Sequence, residues 1–235
     1  MSESAGPTGP TPSATSTASP GYEPTDRTAP TRARHKASYD RQLVHAILDE
    51  AYVCHLGFVR DGAPVVLPTL YGRVGERLYV HGSTGSRPLR MAGRSDPGLP
   101  VCLTVTLVDG LVLARSAFHH SINYRSVVIH GTARQVTDPE EKSAALDALV
   151  DQVVPGRSRD ARPGDAKELA ATAVLRVDLR EVSAKLRTGG PNDEPEDVPL
   201  PHWAGVIPLT GGHGTPIPAE DLDPAIALPG YLSAR

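Results

Sequence analysis

The sequence predicts a mainly β protein, a small closed or nearly closed barrel of six or so strands with a few short helices. Three observations carry this. Short runs rich in Val, Leu and Tyr are punctuated by Asp61-Gly62, Gly75-Glu76 and Asp109-Gly110, pairs that favour tight turns between strands. Only three stretches have the spacing of a helix with one apolar face. Closure into a barrel removes the free edges that so many short strands would otherwise expose.

In chain order, Leu43, Val44, Ile47, Leu48 and Ala51 share one face of a helix starting near Asp40. Strands follow over 52–59 and 64–73 around Asp61-Gly62, then over 78–81 after Gly75-Glu76. Residues 86–93 read as a short helix. Residues 101–108 and 111–114 read as a second hairpin about Asp109-Gly110, and 124–136 as a long strand with Gly131 as a bulge. The third helix has Asp138 as N-cap, Pro139 at N1 and Glu141 completing a capping box. Leu146, Leu149, Val150 and Val153 form its buried stripe, and Pro155-Gly156 stops it. Residues 174–186 make the last barrel strand.

This places one domain over residues 37–187. Between Met1 and Leu43 no Val, Ile, Leu, Phe or Trp occurs, so residues 1–36 are expected to be a disordered tail that offers no apolar anchor. Residues 188–235 are rich in proline, but Trp203, Val206, Ile207 and Leu209 are interleaved, the pattern of an extended arm packed on the barrel or on a partner. The net charge of -3 gives no reason to expect a nucleic acid or an anionic membrane as partner. Cys54 and Cys102 sit inside apolar runs, which argues against a disulfide framework and for a reducing, cytoplasmic setting. Neither a bilayer-length apolar run nor a secretory signal is present.

Three segments carry possible chemistry. The first is Tyr79-Val80-His81-Gly82-Ser83-Thr84-Gly85-Ser86-Arg87, where a strand gives way to a helix through glycines and hydroxyls with an arginine in the first turn. Free amides at a helix start, Ser hydroxyls and a guanidinium are what a phosphate dianion needs. The same stretch also reads as a Gly/Ser loop capping a helix, with Arg87 in solvent. The second is Phe118-His119-His120-Ser121-Ile122-Asn123-Tyr124-Arg125, polar and aromatic groups at a strand entry that a polar ligand or water must satisfy. Adjacent histidines on a strand point to opposite faces and cannot share one metal, and no zinc-type grouping occurs. The third is Val65-Val66-Leu67-Pro68-Thr69-Leu70-Tyr71, in which a mid-strand proline marks an edge or an opened ladder.

In this order the segments resemble the pyridoxamine-phosphate-oxidase-like, FMN-binding split β-barrel superfamily, and within it the flavin-nucleotide-binding branch that includes nitroimidazole-resistance proteins. The resemblance runs from about residue 28 to 209 and rests on Asp61-Gly62-Ala63-Pro64-Val65-Val66-Leu67-Pro68-Thr69, His81-Gly82-Ser83 with Ser86-Arg87, Asn123-Tyr124-Arg125-Ser126-Val127, and Trp203-Ala204-Gly205-Val206-Ile207-Pro208-Leu209. It implies a six-stranded split barrel forming a homodimer with FMN at the interface. Ser83, Ser86 and Arg87 would take the phosphate, and Pro68, Thr69, Leu70 and Tyr71 would line the isoalloxazine. Tyr124 and Arg125 would close the pocket, Trp203 would cover the ring, and His81 would lie near the flavin as the candidate catalytic group. Residues 224–235 lack the basic and histidine set with which pyridoxamine-phosphate oxidases hold their substrate, which argues against vitamin B6 oxidation. The expected activity is FMN-dependent oxidation or reduction of a small nitroaromatic or heterocyclic substrate. The alternatives are haem binding through His81, His119 or His120, a deazaflavin-dependent reductase, and a non-catalytic flavin carrier.

Overall fold

The computed structural model describes residues 21–31 and 36–233, and every structural statement here concerns those residues; the expected tail over 1–20 and 32–35 lies outside them. The strands are β1 (Ala37–Ser38), β2 (Val53–Arg60), β3 (Ala63–Leu70), β4 (Gly72–Val74), β5 (Arg77–Ser83), β6 (Leu99–Leu113), β7 (Ser121–Gln135), β8 (Thr172–Asp178), β9 (Glu181–Arg187) and β10 (Gly205–Pro208). The helices are α1 (Arg41–Glu50), α2 (Arg87–Arg94), α3 (Pro139–Val153), α4 (Ala166–Ala171) and α5 (Gly230–Ser233). All pairings are antiparallel, in the order β3-β2-β6-β7-β8-β5-β4, with β9 also on β7, β1 on β9 and β10 on β6. The sheet curls until β3 and β5 touch, the ring of a split barrel. Leu56, Leu103, Val105, Val127, Ile129 and Leu175 fill it, and α1 contributes Val44, Ile47 and Leu48, all buried.

The local signals explain much of this. Asp40 caps α1 by accepting the Leu43 amide at 2.7 Å. Asp61 (φ 51°) and Gly62 (φ 78°) make the left-handed turn of the β2–β3 hairpin. Pro64 and Pro68 are tolerated because β3 pairs only with β2 and is an edge.

Several expectations are corrected. Asp109-Gly110 is not a hairpin turn: β6 runs straight through it, paired with β7 from Leu99↔Ala133 to Val112↔Ser121, and Asp109 is the extra residue of a bulge between Val108 and Gly110. Apolar residues on both sides keep the strand in the sheet. Gly110 is needed for a different reason, since a Cβ there would sit 3.1 Å from the Ile207 carbonyl of β10. Gly131 is no bulge either; it pairs in register with Val101, and a Cβ would lie 2.8 Å from Val177. The expected strand 174–186 is interrupted at Leu179 and Arg180 into β8 and β9, which pair antiparallel with successive parts of β7 and not with each other; at the break the Leu179 amide donates to the Glu76 carbonyl. The expected strand 64–73 breaks at Tyr71 into β3 and β4. Asp138 caps α3, but the Glu141 carboxylate turns to Tyr79 and Arg176, so no capping box closes. Ala145 and Leu149 are the buried residues of α3, and Val150 is exposed.

The largest departure is at the N-terminus. Residues 21–31, expected to belong to the tail, pack on the barrel. Tyr22 is buried in the core, and its hydroxyl donates to Glu76 at 2.9 Å. The Tyr39 hydroxyl donates to the Thr28 carbonyl. The anchor is a tyrosine, which the absence of Val, Ile, Leu, Phe and Trp from this segment does not reveal. Tyr22→Ala should therefore cost about 3 kcal/mol, and Tyr22→Phe about 1 kcal/mol, in denaturant unfolding; an unchanged midpoint for Tyr22→Ala would mean that this segment does not hold in solution.

Candidate functional site

Alternation and register define what the sheet presents outward. On β2 the outward residues are Val53, His55, Gly57 and Val59, paired with Leu70, Pro68, Val66 and Pro64 of β3. On β6 they are Cys102, Thr104, Thr106 and Val108, opposite His130, Val128, Ser126 and Tyr124 of β7. Not one of these sixteen positions is Asp, Glu, Lys or Arg. Beyond the bulge the same face continues as a row, Ile122–Leu111–Ile207, across three strands. Val66, Leu70, Val108, Leu111, Ile122 and Ile207 are all exposed. An apolar, uncharged sheet face of this extent marks a surface that binds something.

At one corner of the barrel β5 leads into α2. The Ser86 amide donates to the Ser83 carbonyl at 2.8 Å, and the Gly85 amide reaches the Ser83 hydroxyl at 3.2 Å. Ser86 stands at the N-cap of α2, yet its hydroxyl makes no capping bond. Leu89 packs so closely over Gly82 that a Cβ there would meet it at 3.2 Å. Ser83, Ser86 and Arg87 are thus brought together at a helix start, and His81 is exposed just before it on β5. Arg60, Arg90 and Arg94 join Arg87 around a groove of about 320 Å³ with Asp61 and Met91. Those three arginines were missed, although the Arg87-Arg90-Arg94 spacing was open to view in the sequence.

Other expected site residues are distributed differently. Pro68, Thr69 and Leu70 lie along the edge strand. Tyr71 does not line a groove: it is fully buried and donates its hydroxyl to the Leu48 carbonyl, because the chain turns inward where β3 ends. Tyr124 and Arg125 are strand neighbours and face opposite sides, so they do not close one pocket together. Arg125 is held by Glu50 and by Asp109, the latter through Nε–Oδ2 at 3.0 Å and Nη2–Oδ1 at 2.7 Å. Its hydrogen bonds hold both carboxyls below their usual range. Trp203 is exposed and lies over the backbone of Gly205. His119 Nε2 stands 3.6 Å from Glu194. His120 Nδ1 is 3.0 Å from the Ser116 carbonyl; since a carbonyl only accepts, Nδ1 carries the proton and Nε2 keeps its lone pair. Burial pushes the Cys54 thiol up to about 12, so it is no thiolate nucleophile at neutral pH. Among the described residues no helix is long and apolar enough to cross a membrane.

An antiparallel sheet curled into a six-strand ring with a few short helices defines the split-barrel fold. The pyridoxamine 5'-phosphate oxidase family model matches residues 40–186, and the chain belongs to that FMN-binding split-barrel family. Among solved structures it is similar to the flavocytochrome Anf3 from Azotobacter vinelandii, at 39% identity and a TM-score of 0.83, covering 91% of this chain and 98% of that one. It is also similar to an FAD- and haem-binding protein from Mycobacterium smegmatis, at 40% identity and a TM-score of 0.79, covering 85% and 96%. A candidate 5-nitroimidazole resistance protein from Bacteroides thetaiotaomicron shares the fold at 23% identity and a TM-score of 0.51, covering 63% and 85%. No curated protein matches in sequence.

The Arg125 clamp joins the end of α1 to the bulge of β6, so Arg125→Met should cost about 1–2 kcal/mol at neutral pH, discounted for its partial exposure. Because the folded carboxyls of Glu50 and Asp109 titrate low, their contribution is complete above the ordinary carboxylate pKa and is lost as pH falls through the depressed values. Unfolding midpoints measured against pH should show this acid slope in the wild type and a shallower one in Arg125→Met; parallel slopes would refute the clamp.

Proposed function

We propose that this protein is a flavin- and haem-binding redox protein, working as a homodimer with its cofactors held at the uncharged sheet face. The observation that carries the reading is likeness at 39% and 40% identity, over nearly the whole of both chains, to proteins described as a flavocytochrome and as FAD- and haem-binding. The residues present fit both groups. Ser83, Ser86 and Arg87 offer a flavin phosphate two hydroxyls, a helix start without a side-chain cap, and a guanidinium. Pro68 and Leu70 on the edge strand, Tyr124, and Trp203 supply flat and apolar surface for a ring, while Thr69, opposite the buried Cys54, faces the other way.

For haem, His120 fits an axial ligand best. Its Nδ1 is fixed by a carbonyl, the arrangement that orients metal-binding imidazoles and frees Nε2. Its extended backbone puts it on the same face as Ile122, at the end of the row with Leu111 and Ile207 that would meet a porphyrin. His119, turned toward Glu194, and the exposed His81 lack this support. When bound, the two groups supply electron transfer in single and paired steps. The chain's own part is to orient them and keep water away, and a second copy laid on the same face would complete that shell. The narrower reading, an FMN-dependent oxidoreductase for nitroaromatics, draws only on fold likeness and stands second.

An absorption spectrum of the purified protein, reconstituted with flavin and haemin, should show the paired flavin bands together with a Soret band. A single band near the violet edge would instead identify a deazaflavin. His120→Ala should lose the Soret band and keep the flavin, with added imidazole restoring it; retention of haem by His120→Ala alongside loss in His81→Ala or His119→Ala would reassign the ligand. Val66→Glu places a charge on the uncharged face and should convert a dimer to a monomer in sedimentation; a wild-type monomer that binds flavin would overturn the dimer.

A further inference from the structure

We infer that α2 carries a second phosphate subsite, formed by Arg90, Arg94 and Arg60, and that it takes the adenosine-diphosphate half of FAD. This rests on the flavin reading above.

The helix is built against its own interest. Arg87, Arg90 and Arg94 stand at i, i+3 and i+7, one face of an α-helix, opposite the buried Pro88, Leu89 and Ala92. Like charges at these spacings repel. Arg87 and Arg90 also sit near the positive end of the helix dipole, where cations are unfavourable, and the first turn holds no acid to offset them. Among the described residues no side chain of Arg87, Arg90 or Arg94 makes a hydrogen bond or an ion pair; the Arg90 backbone amide makes only the helical bond to the Ser86 carbonyl. Arg73, Arg125 and Arg176, by contrast, are each held by a carboxylate. Arg60 arrives from the end of β2 on the other side of the groove. Its Nε is shielded from solvent with no hydrogen-bond partner, and its ion pair with the exposed Asp61 is long, at 3.7 Å.

Four guanidinium groups around one groove of about 320 Å³ face a single carboxylate. Their geometry suits several phosphate oxygens at once, since each guanidinium presents a planar fork of donors. One terminal phosphate at Ser83, Ser86 and Arg87 would leave Arg90 and Arg94 unused, respectively one and two turns further along the helix. A diphosphate runs past the helix start toward them. Met91, within the same groove, gives an adenine ring an apolar surface.

The test is a titration of the full-length apoprotein with FAD, FMN, riboflavin and NADH, followed by flavin fluorescence and, for NADH, its own emission. The Arg90→Ala/Arg94→Ala double variant should bind FAD about ten- to a hundredfold more weakly and leave FMN nearly unchanged. Arg87→Ala should weaken FAD and FMN alike, and riboflavin should be indifferent to both changes. Arg90→Lys/Arg94→Lys, keeping charge without the fork, should recover part of the loss, and inorganic pyrophosphate should compete with FAD on the wild type. These side chains are exposed or line a surface groove, and circular dichroism checks that the variants fold. Equal losses of FAD and FMN, or no loss of either, would overturn the second subsite. Loss of NADH binding with FAD untouched would assign the groove to a pyridine dinucleotide and overturn it as well. Wild-type protein that binds no flavin at all would instead remove the functional reading on which it stands.

Discussion

Every part of the sheet hangs on one antiparallel pairing, that of β6 with β7. The first half of β6 carries β2 and, through it, the edge strand β3, and its second half carries β10. The first half of β7 carries β9 and its end carries β8, which brings β5 and β4 with it. Such long strands must bend to curl into a barrel, and the bulge at Asp109 is where the ladder yields. A bulge leaves a residue unpaired. Here that residue's carboxylate is turned to Arg125 on β7, whose guanidinium also holds Glu50 at the end of α1. Three elements are therefore locked at the one place where the pairing is irregular.

The contrast between two Asp-Gly pairs shows what the sequence can and cannot convey. Asp61-Gly62 follows Arg60 and turns the chain with both residues at positive φ. Asp109-Gly110 is chemically the same pair and does not turn, because Val108 before it and Leu111, Val112 and Leu113 after it continue an unbroken strand. What decides is a partner far away in sequence, residues 121–124, which local reading does not see. The break within 174–186 escapes local reading for the same reason, since Leu179 is held by Glu76 and not by a turn dipeptide. Edge position was legible, since proline at 64 and 68 excludes a central strand. The strand-to-helix turn over 81–87 was legible too, because its glycines, hydroxyls and arginine lie within one loop. Tyr71 was misplaced because a single residue's facing depends on where its strand breaks.

The two unusual surfaces of the molecule share a physical logic. A sheet face of Val, Pro, Thr, Gly and His exposed to water gives up the stability that burial would provide, and an arginine stripe on a helix start adds repulsion. Neither improves the isolated subunit. Elsewhere the chain is thrifty with charge: Arg73 is matched to Asp49, Arg115 to Asp193, and Arg176 to Glu141. Departures of this kind, in a fold otherwise internally consistent, are where binding is expected.

Net charge is a poor guide to such a place. A total of -3 bears on the far field of the molecule, yet in physiological salt a charge is felt over only about 8 Å. In the groove at the β5–α2 corner a ligand meets Arg60, Arg87, Arg90 and Arg94, and Asp61 is the one carboxylate in its lining. Carboxylates elsewhere, several of them already paired with other arginines, contribute little there. An acidic protein can thus hold a polyanionic nucleotide, provided its acids are kept close to other cations and a few guanidinium groups are left without them. The sequence carries that information in the spacing of three arginines on one short helix, and the total conceals it.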